Sequence, residues 1–119
     1  TIVLLGKKVL GKPSNKKNAY MTLKSLSGNS HEVITGVTII YNNIIHVFHD
    51  KTIVKFFNIM DSDIERYINS NEPYDKAGSY GIQDYSAIFV EKINGCYDNV
   101  VGFPLAKFYN ELRKINLEL

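Results

Sequence analysis

The chain has 119 residues, 45% of them hydrophobic and 22% charged, and this composition is typical of one globular domain that spans residues 1–119. Its net charge of +2 is too small to indicate binding to nucleic acid or to an anionic membrane, and no apolar run approaches the roughly 20 residues of a membrane-spanning helix. The single cysteine, Cys96, excludes an internal disulfide bond and favours a reducing compartment, so we expect a cytoplasmic protein.

The first half of the chain predicts two hairpins separated by one helix. The opening run "TIVLLGKKVLGKP" predicts two short strands around a turn that begins at Gly6. A helix is expected from a cap at Ser14 to about Ser27, with Gly28 ending it. The run "HEVITGVTIIYNNIIHVFHDKTIVKFF" then predicts two long antiparallel strands that meet in a turn at Asn42.

The second half predicts a further helix, a polar segment, a hairpin and a last helix. Ser62 and Glu65 form a capping-box pattern at the start of the second helix, which ends before Pro73. The run "SAIFVEKINGCYDNVVG" predicts a hairpin that turns at Asn94, and Pro104 suits the first position of the last helix. The order β-β-α-β-β-α-loop-β-β-α predicts a mixed α/β fold with a largely antiparallel sheet flanked by helices.

Lys12 is the first candidate for a binding residue. It lies between Gly11 and Pro13, directly before a predicted helix. A lysine at a helix N-terminus suits an anion, because the ammonium group and the helix dipole are both positive there. On this tripeptide alone, a solvated turn lysine is the commoner interpretation.

The segment "EPYDKAGSYGIQDY", residues 72–85, gathers many hydrogen-bonding groups around two glycines. Lys76 suits a phosphate, Tyr80 can stack on a ligand or donate from its hydroxyl, and Gln83 offers a donor and an acceptor to a base edge. Gly78 and Gly81 are expected to let backbone N–H groups face a ligand. These groups predict part of a nucleotide site, and an ordered loop whose polar groups satisfy one another is an equal alternative.

Other candidates carry less weight. His46 and His49 are three residues apart on a predicted strand, so their side chains point to opposite faces and do not share a metal ion. The lysines near the N-terminus lack interleaved aromatic residues, which makes an RNA-binding domain the weakest of the alternatives.

Together, the motifs "TIVLLGKKVLGKP", "LSGNSHEVITGV", "TIVKFF", "EPYDKAGSYGIQ" and "NVVGFPL" resemble the Maf family in their order and spacing. This family comprises bacterial nucleoside triphosphate pyrophosphatases, also called septum formation inhibitor proteins. The resemblance covers essentially the whole chain and implies a Maf/ITPase-like two-lobed fold. It also implies that dTTP, UTP or modified pyrimidine triphosphates are hydrolysed to the monophosphate and pyrophosphate with a divalent metal (Mg or Mn), in connection with cell division arrest.

The resemblance also implies roles for individual residues. Lys12 matches the lysine of the family's "KP" pair, which contributes to substrate binding and turnover. Thr1 and Gln83 match its specificity positions. Lys76 and Tyr80 match positions that are expected to line the cleft.

The chain departs from the family pattern in two respects. It contains neither the family's Ser-Pro-Arg-Arg loop nor the Ala-Asp pair, ahead of the position of Thr1, whose aspartate is the proton acceptor. The resemblance therefore implies the C-terminal two-thirds of a Maf protein, and we expect this chain alone to have little or no activity. Asp84 stands where glycine is usual, which bears on substrate preference.

Two further questions remain open at this point. A non-catalytic nucleotide-binding or protein-interaction module of the same fold is the alternative to an enzyme. A homodimer is open as well, because an unpaired sheet edge promotes self-association.

Overall fold

The computed structural model describes residues 1–117, and two antiparallel hairpins form most of its sheet. Strands β1 (Ile2–Leu5) and β2 (Lys8–Leu10) make the short hairpin that the sequence predicts. Strands β3 (Ser30–Tyr41) and β4 (Ile44–Phe56) make the long one. β1 also pairs antiparallel with β3, which joins the two hairpins edge to edge.

Helix α1 (Lys16–Leu26) links the two hairpins. Its cap is Asn15, whose side chain accepts a hydrogen bond of 2.8 Å from the backbone N–H of Asn18. The predicted cap at Ser14 is therefore wrong by one residue. Gly28 ends the helix as predicted, at φ 71°, a left-handed conformation that glycine adopts without strain.

Helix α2 (Asp61–Ile68) follows the long hairpin and begins after Met60 without a side-chain cap. The predicted capping box of Ser62 and Glu65 is wrong, because Ser62 already lies inside the helix. After α2 the backbone forms three short 3-10 turns between residues 72 and 89. These turns shape the segment that the sequence singles out as a nucleotide site.

The predicted C-terminal hairpin is wrong. Strand β5 (Val90–Asn94) forms and pairs with β4, but Gly95 turns the chain away at φ 127°. The following residues form helix α3 (Tyr97–Val101) instead of a second strand. The last helix, α4 (Leu105–Lys114), forms as predicted, but Pro104 is its N-cap and not its first residue, so that prediction is wrong by one residue.

The sheet has the order β2-β1-β3-β4-β5, so the predicted mixed α/β class with a largely antiparallel sheet is confirmed. Directly paired residues share a face of the sheet, which places Val3, Val33 and Thr52 in one buried row. Helices α1 and α2 pack on this face and form the main core. Its buried members are Val3, Leu10, Ala19, Leu23, Leu26, Val33, Val54, Phe56, Ile59, Ile64, Tyr67, Ile68, Tyr80 and Phe89.

The far end of the long hairpin extends beyond this core and gives the molecule extents of 51 × 26 × 26 Å. We call this region the hairpin end. There, Ile39 and Phe48 bury against Leu112 of α4 in a separate, smaller cluster. Among the described residues, no helix is long and apolar enough to cross a lipid bilayer.

Candidate functional site

A cavity of about 320 Å³ lies where the segment of residues 75–84 packs against the start of β1. Its volume is within the range of pockets that bind small molecules, about 300–1,000 Å³. The end of α3 and the link between β2 and α1 complete its walls. The cavity is lined by all five side chains that the sequence nominates for a site: Thr1, Lys12, Lys76, Tyr80 and Gln83.

Two lysines reach this cavity from distant parts of the chain. The backbone N–H of Gly78 donates a hydrogen bond of 3.2 Å to the carbonyl of Gly11. Since Gly11 precedes Lys12 and Gly78 closely follows Lys76, this bond holds the two lysine-bearing segments side by side. The two ammonium groups attract an anionic ligand, and the carboxylates of Asp75 and Asp84 in the same lining oppose it.

The two glycines of the segment have a steric role. The prediction that they direct N–H groups at a ligand is wrong, because Gly78 donates to Gly11 and Gly81 donates to the Ser86 hydroxyl at 3.3 Å. Gly78 has φ 74°, and a Cβ atom there would lie 3.0 Å from a methyl group of Val3. Glycine at this position therefore lets the segment lie directly on β1.

Tyr80 contributes to the cavity wall, but its hydroxyl group points to a core histidine. Tyr80 Oη lies 2.6 Å from Nε2 of His31, and the ring of Tyr80 packs edge-on against Phe56. Burial lowers the pKa of His31 to about 4, so this imidazole is neutral at physiological pH. Burial also raises the pKa of Tyr80. Either atom can be the donor in this contact, so the Tyr80 hydroxyl can donate to a ligand when Nε2 of His31 carries the proton or when the contact with His31 is broken.

Thr1 and Gln83 differ in how firmly they are held. The Oγ1 atom of Thr1 lies 2.8 Å from that of the buried Thr35 and donates a longer hydrogen bond, 3.3 Å, to the carbonyl of Gly102. Thr1 is thus tied both to β3 and to the residue that ends α3. Gln83 is exposed at the cavity, where its amide is accessible to a ligand.

The wall formed by α3 is a part of the site that the sequence did not predict. Asn99 is fully buried, and its amide nitrogen donates to the carbonyls of Val33 (3.1 Å) and Asp50 (3.3 Å) and to the hydroxyl of Thr52 (3.1 Å). These bonds fix α3 across β3 and β4, and the last residues of the helix then line the cavity. The only sequence signal was the "VGFP" motif after Asn99, which is typical of a helix end.

A family model described as Maf-like protein matches residues 1–115 of the chain. The chain belongs to the Maf family. The resemblance inferred from the motifs is thereby confirmed.

Individual relatives of this Maf chain agree with the family match. The dTTP/UTP pyrophosphatase of Clostridium tetani is 50% identical over 100% of the chain and 63% of that protein. The dTTP/UTP pyrophosphatases of Carboxydothermus hydrogenoformans and Thermosipho africanus are each 51% identical, over 96% and 94% of the chain and 62% and 59% of those proteins. The chain spans about three-fifths of the length of these relatives.

The Maf cavity also contains two carboxylates, Asp75 and Asp84. Asp75 is exposed, whereas Oδ2 of Asp84 lies 2.8 Å from Nζ of Lys76. Within residues 1–117, no group of three histidine, cysteine, aspartate or glutamate side chains is arranged to hold a metal ion.

Proposed function

We propose that the cavity binds dTTP or UTP and that the protein is a nucleoside triphosphate pyrophosphatase, which releases pyrophosphate and the nucleoside monophosphate. The relatives named above carry this activity in their names. The observation that carries the proposal is the meeting of Lys12 and Gln83, far apart in the chain, at one cavity that also contains Lys76. The cavity lining thus combines ammonium groups with a neutral amide.

Lys12 and Lys76 would bind the triphosphate. Cleavage between two phosphates increases the negative charge on the leaving pyrophosphate, and a nearby ammonium group stabilises that charge in the transition state. The Lys12 side chain is exposed and that of Lys76 is 37% exposed, so both are accessible to a ligand from solvent.

Gln83 would bind the base, and Thr1, which lines the same cavity, would be the second specificity residue. Uracil and thymine present an N–H donor between two carbonyl acceptors, and a glutamine amide offers the complementary acceptor and donor. Because Thr35 holds the Thr1 hydroxyl in place, this part of the pocket is preorganised on β3.

The remaining components of the reaction are proposed from the resemblance. A divalent cation such as Mg²⁺ or Mn²⁺ would enter with the triphosphate, whose oxygens are ligands that Mg²⁺ commonly takes. The proton acceptor, an aspartate directly before the position of Thr1, is not among the 119 residues. We therefore propose that this chain alone binds dTTP and UTP with little or no turnover.

Binding is tested by titration calorimetry with dTTP and UTP. Lys12→Met is expected to weaken binding about tenfold or more, because a charge-assisted hydrogen bond is lost. Lys16→Met is the matched control, since it removes the same charge from the exposed start of α1, outside the cavity. Gln83→Leu is expected to weaken UTP binding and to leave binding of inorganic triphosphate unchanged. Equal effects of Lys12→Met and Lys16→Met would contradict the proposed site.

Catalysis needs a separate measurement. Pyrophosphate release from UTP with Mg²⁺ is compared between the 119-residue chain and a chain in which an N-terminal segment ending in Ala-Asp precedes Thr1. Release only by the second chain supports the enzyme and the proton acceptor. Nucleotide bound without release by either chain favours the non-catalytic module, and equal release by both contradicts the assigned proton acceptor. The mass in solution tests the homodimer, which is a separate proposal.

A further inference from the structure

One of the two cavity lysines is already paired with a carboxylate of the same chain. The ammonium nitrogen of Lys76 lies 2.8 Å from Oδ2 of Asp84 and donates a hydrogen bond of 3.2 Å to the carbonyl of Glu72. Lys12 has no such acidic partner among the described residues. The two lysines therefore differ in how readily they receive an anion.

A backbone turn places the carboxylate over the lysine. The N–H of Asp84 donates a hydrogen bond of 2.9 Å to the carbonyl of Gly81, which folds the chain back on itself. A Cβ atom on Gly81 would lie 2.6 Å from Oδ2 of Asp84 and equally close to Cε of Lys76. The ion pair thus rests on the bare Cα atom of Gly81, inside the cavity lining.

The pair depends on charge more than on directed hydrogen bonding. Although Oδ2 of Asp84 is buried and close to the ammonium group, it accepts no hydrogen bond of good geometry from any described residue. The side chain of Lys76 remains 37% exposed, and partly exposed ion pairs contribute little free energy. A ligand oxygen that meets the ammonium group in good geometry can therefore displace the carboxylate.

We propose that Asp84 is a built-in competitor of the ligand at Lys76. In the free protein its carboxylate neutralises the ammonium group, and a polyanion binds by taking its place. Singly charged anions compete poorly with a tethered carboxylate, so the pair makes the cavity selective for highly charged ligands. This inference rests on the proposed function, because it assumes that the cavity binds a triphosphate.

The test measures dissociation constants of UTP and inorganic triphosphate for the wild type and Asp84→Asn. Without the competing carboxylate, both ligands are expected to bind about fivefold more tightly, a difference of about 1 kcal/mol. Asp75→Asn is the matched control, because it removes a charge from the same cavity without breaking an ion pair with Lys76. The gain in affinity of Asp75→Asn is expected to stay below about twofold, because it comes only from the long-range electrostatic effect of removing one negative charge.

A second pair of variants isolates the role of Lys76. In a Lys76→Met background, the gain from Asp84→Asn is expected to fall to that of Asp75→Asn. Equal gains from the two asparagine variants in the wild-type background would overturn the competitor. The proposal would also be overturned if Asp84→Asn bound UTP more weakly but inorganic triphosphate as tightly as the wild type, since Asp84 would then bind the base.

Failure of this inference is distinguishable from failure of the proposed function. If the wild type binds UTP and Asp84→Asn binds it no more tightly, only the competitor is wrong. If the wild type binds neither UTP nor inorganic triphosphate, the proposed function fails and the competitor with it. Asp84→Gly provides a second variant, and urea midpoints show whether either variant is folded.

Discussion

The two ends of the long hairpin share one ladder but differ in what covers them. The antiparallel register is continuous from the pair of Ser30 and Lys55 to the pair of Tyr41 and Ile44. Beside the cavity, the ring of Phe56 is completely buried among other aromatic side chains. At the hairpin end, Ile40 is 72% exposed although its backbone is equally well paired.

Backbone pairing therefore does not distinguish the part of the sheet beside the cavity from the hairpin end, whereas side-chain burial does. Segment 75–84 has little regular structure, yet Tyr80 anchors it in the main core and Gly78 presses it against β1. The hairpin end has regular structure and only a small cluster against α4. The cavity therefore depends on side-chain packing behind an irregular segment, a conclusion that the following substitutions test.

The largest effect is expected for Phe56→Ala. This substitution removes a fully buried ring from the main core and should lower the free energy of unfolding by about 4 kcal/mol. Phe48→Ala is the matched change at the hairpin end and should cost about half as much, because its cluster is smaller and Phe48 is 7% exposed. Urea denaturation of both variants gives the two values. Equal costs would mean that the two ends are packed equally well.

The next effect is the pH dependence of stability that results from the buried His31, at the end of the long hairpin beside the cavity. Burial lowers its pKa to about 4 from 6.5, so the folded state binds fewer protons than the unfolded state between these values. Its contribution is fully present above pH 6.5 and is lost as the pH falls towards 4, by about 3 kcal/mol in total. His31→Gln keeps a polar partner for Tyr80 and should remove this dependence. Subtracting the unfolding free energies of variant and wild type at each pH isolates the histidine, and a constant difference from pH 7 to 4 would refute its role.

A smaller loss is expected when α3 is released from the sheet. Asn99→Ala removes the amide that bonds Val33, Asp50 and Thr52, and should lower stability by about 2 kcal/mol and weaken UTP binding. Asn110→Ala on α4 is the control, because within residues 1–117 its amide bonds only to the carbonyl of Ala106, at an exposed position. Its expected cost is below about 0.5 kcal/mol. A similar cost for both would mean that α3 is held by other contacts.

The elements that the sequence predicted correctly depend on neighbours in the chain. Gly6 and Asn42 adopt the positive φ values, 60° and 52°, that their turns require. Asn94 and Gly95 are also a strong local signal for a hairpin, but the chain beyond them forms α3, whose Asn99 makes buried hydrogen bonds to β3 and β4. Such bonds join residues that only the folded chain brings together, so no local pattern reveals them.

The same limit applies to the site. Residue chemistry and the resemblance nominated Lys12, Lys76 and Gln83, and the fold brings them to one cavity. The partner of the Tyr80 hydroxyl, His31, was not predicted, because it depends on which strand lies behind the segment. The ion pair of Lys76 with a residue eight positions later was equally hidden, since it requires the tight turn at Gly81.

The smallest changes in stability are expected for alanine substitutions at two residues that have positive φ. Ser79, in the cavity segment, has φ 69° and a buried hydroxyl without a hydrogen-bond partner among the described residues. Ser79→Ala removes this unsatisfied group and should stabilise the protein by about 1 kcal/mol. Asn42→Ala, in the exposed turn of the hairpin end, should instead destabilise it by about 1 kcal/mol, because asparagine tolerates the left-handed conformation better than alanine. Thermal or urea unfolding gives both signs, and a destabilised Ser79→Ala variant would show that the hydroxyl does have a partner in solution.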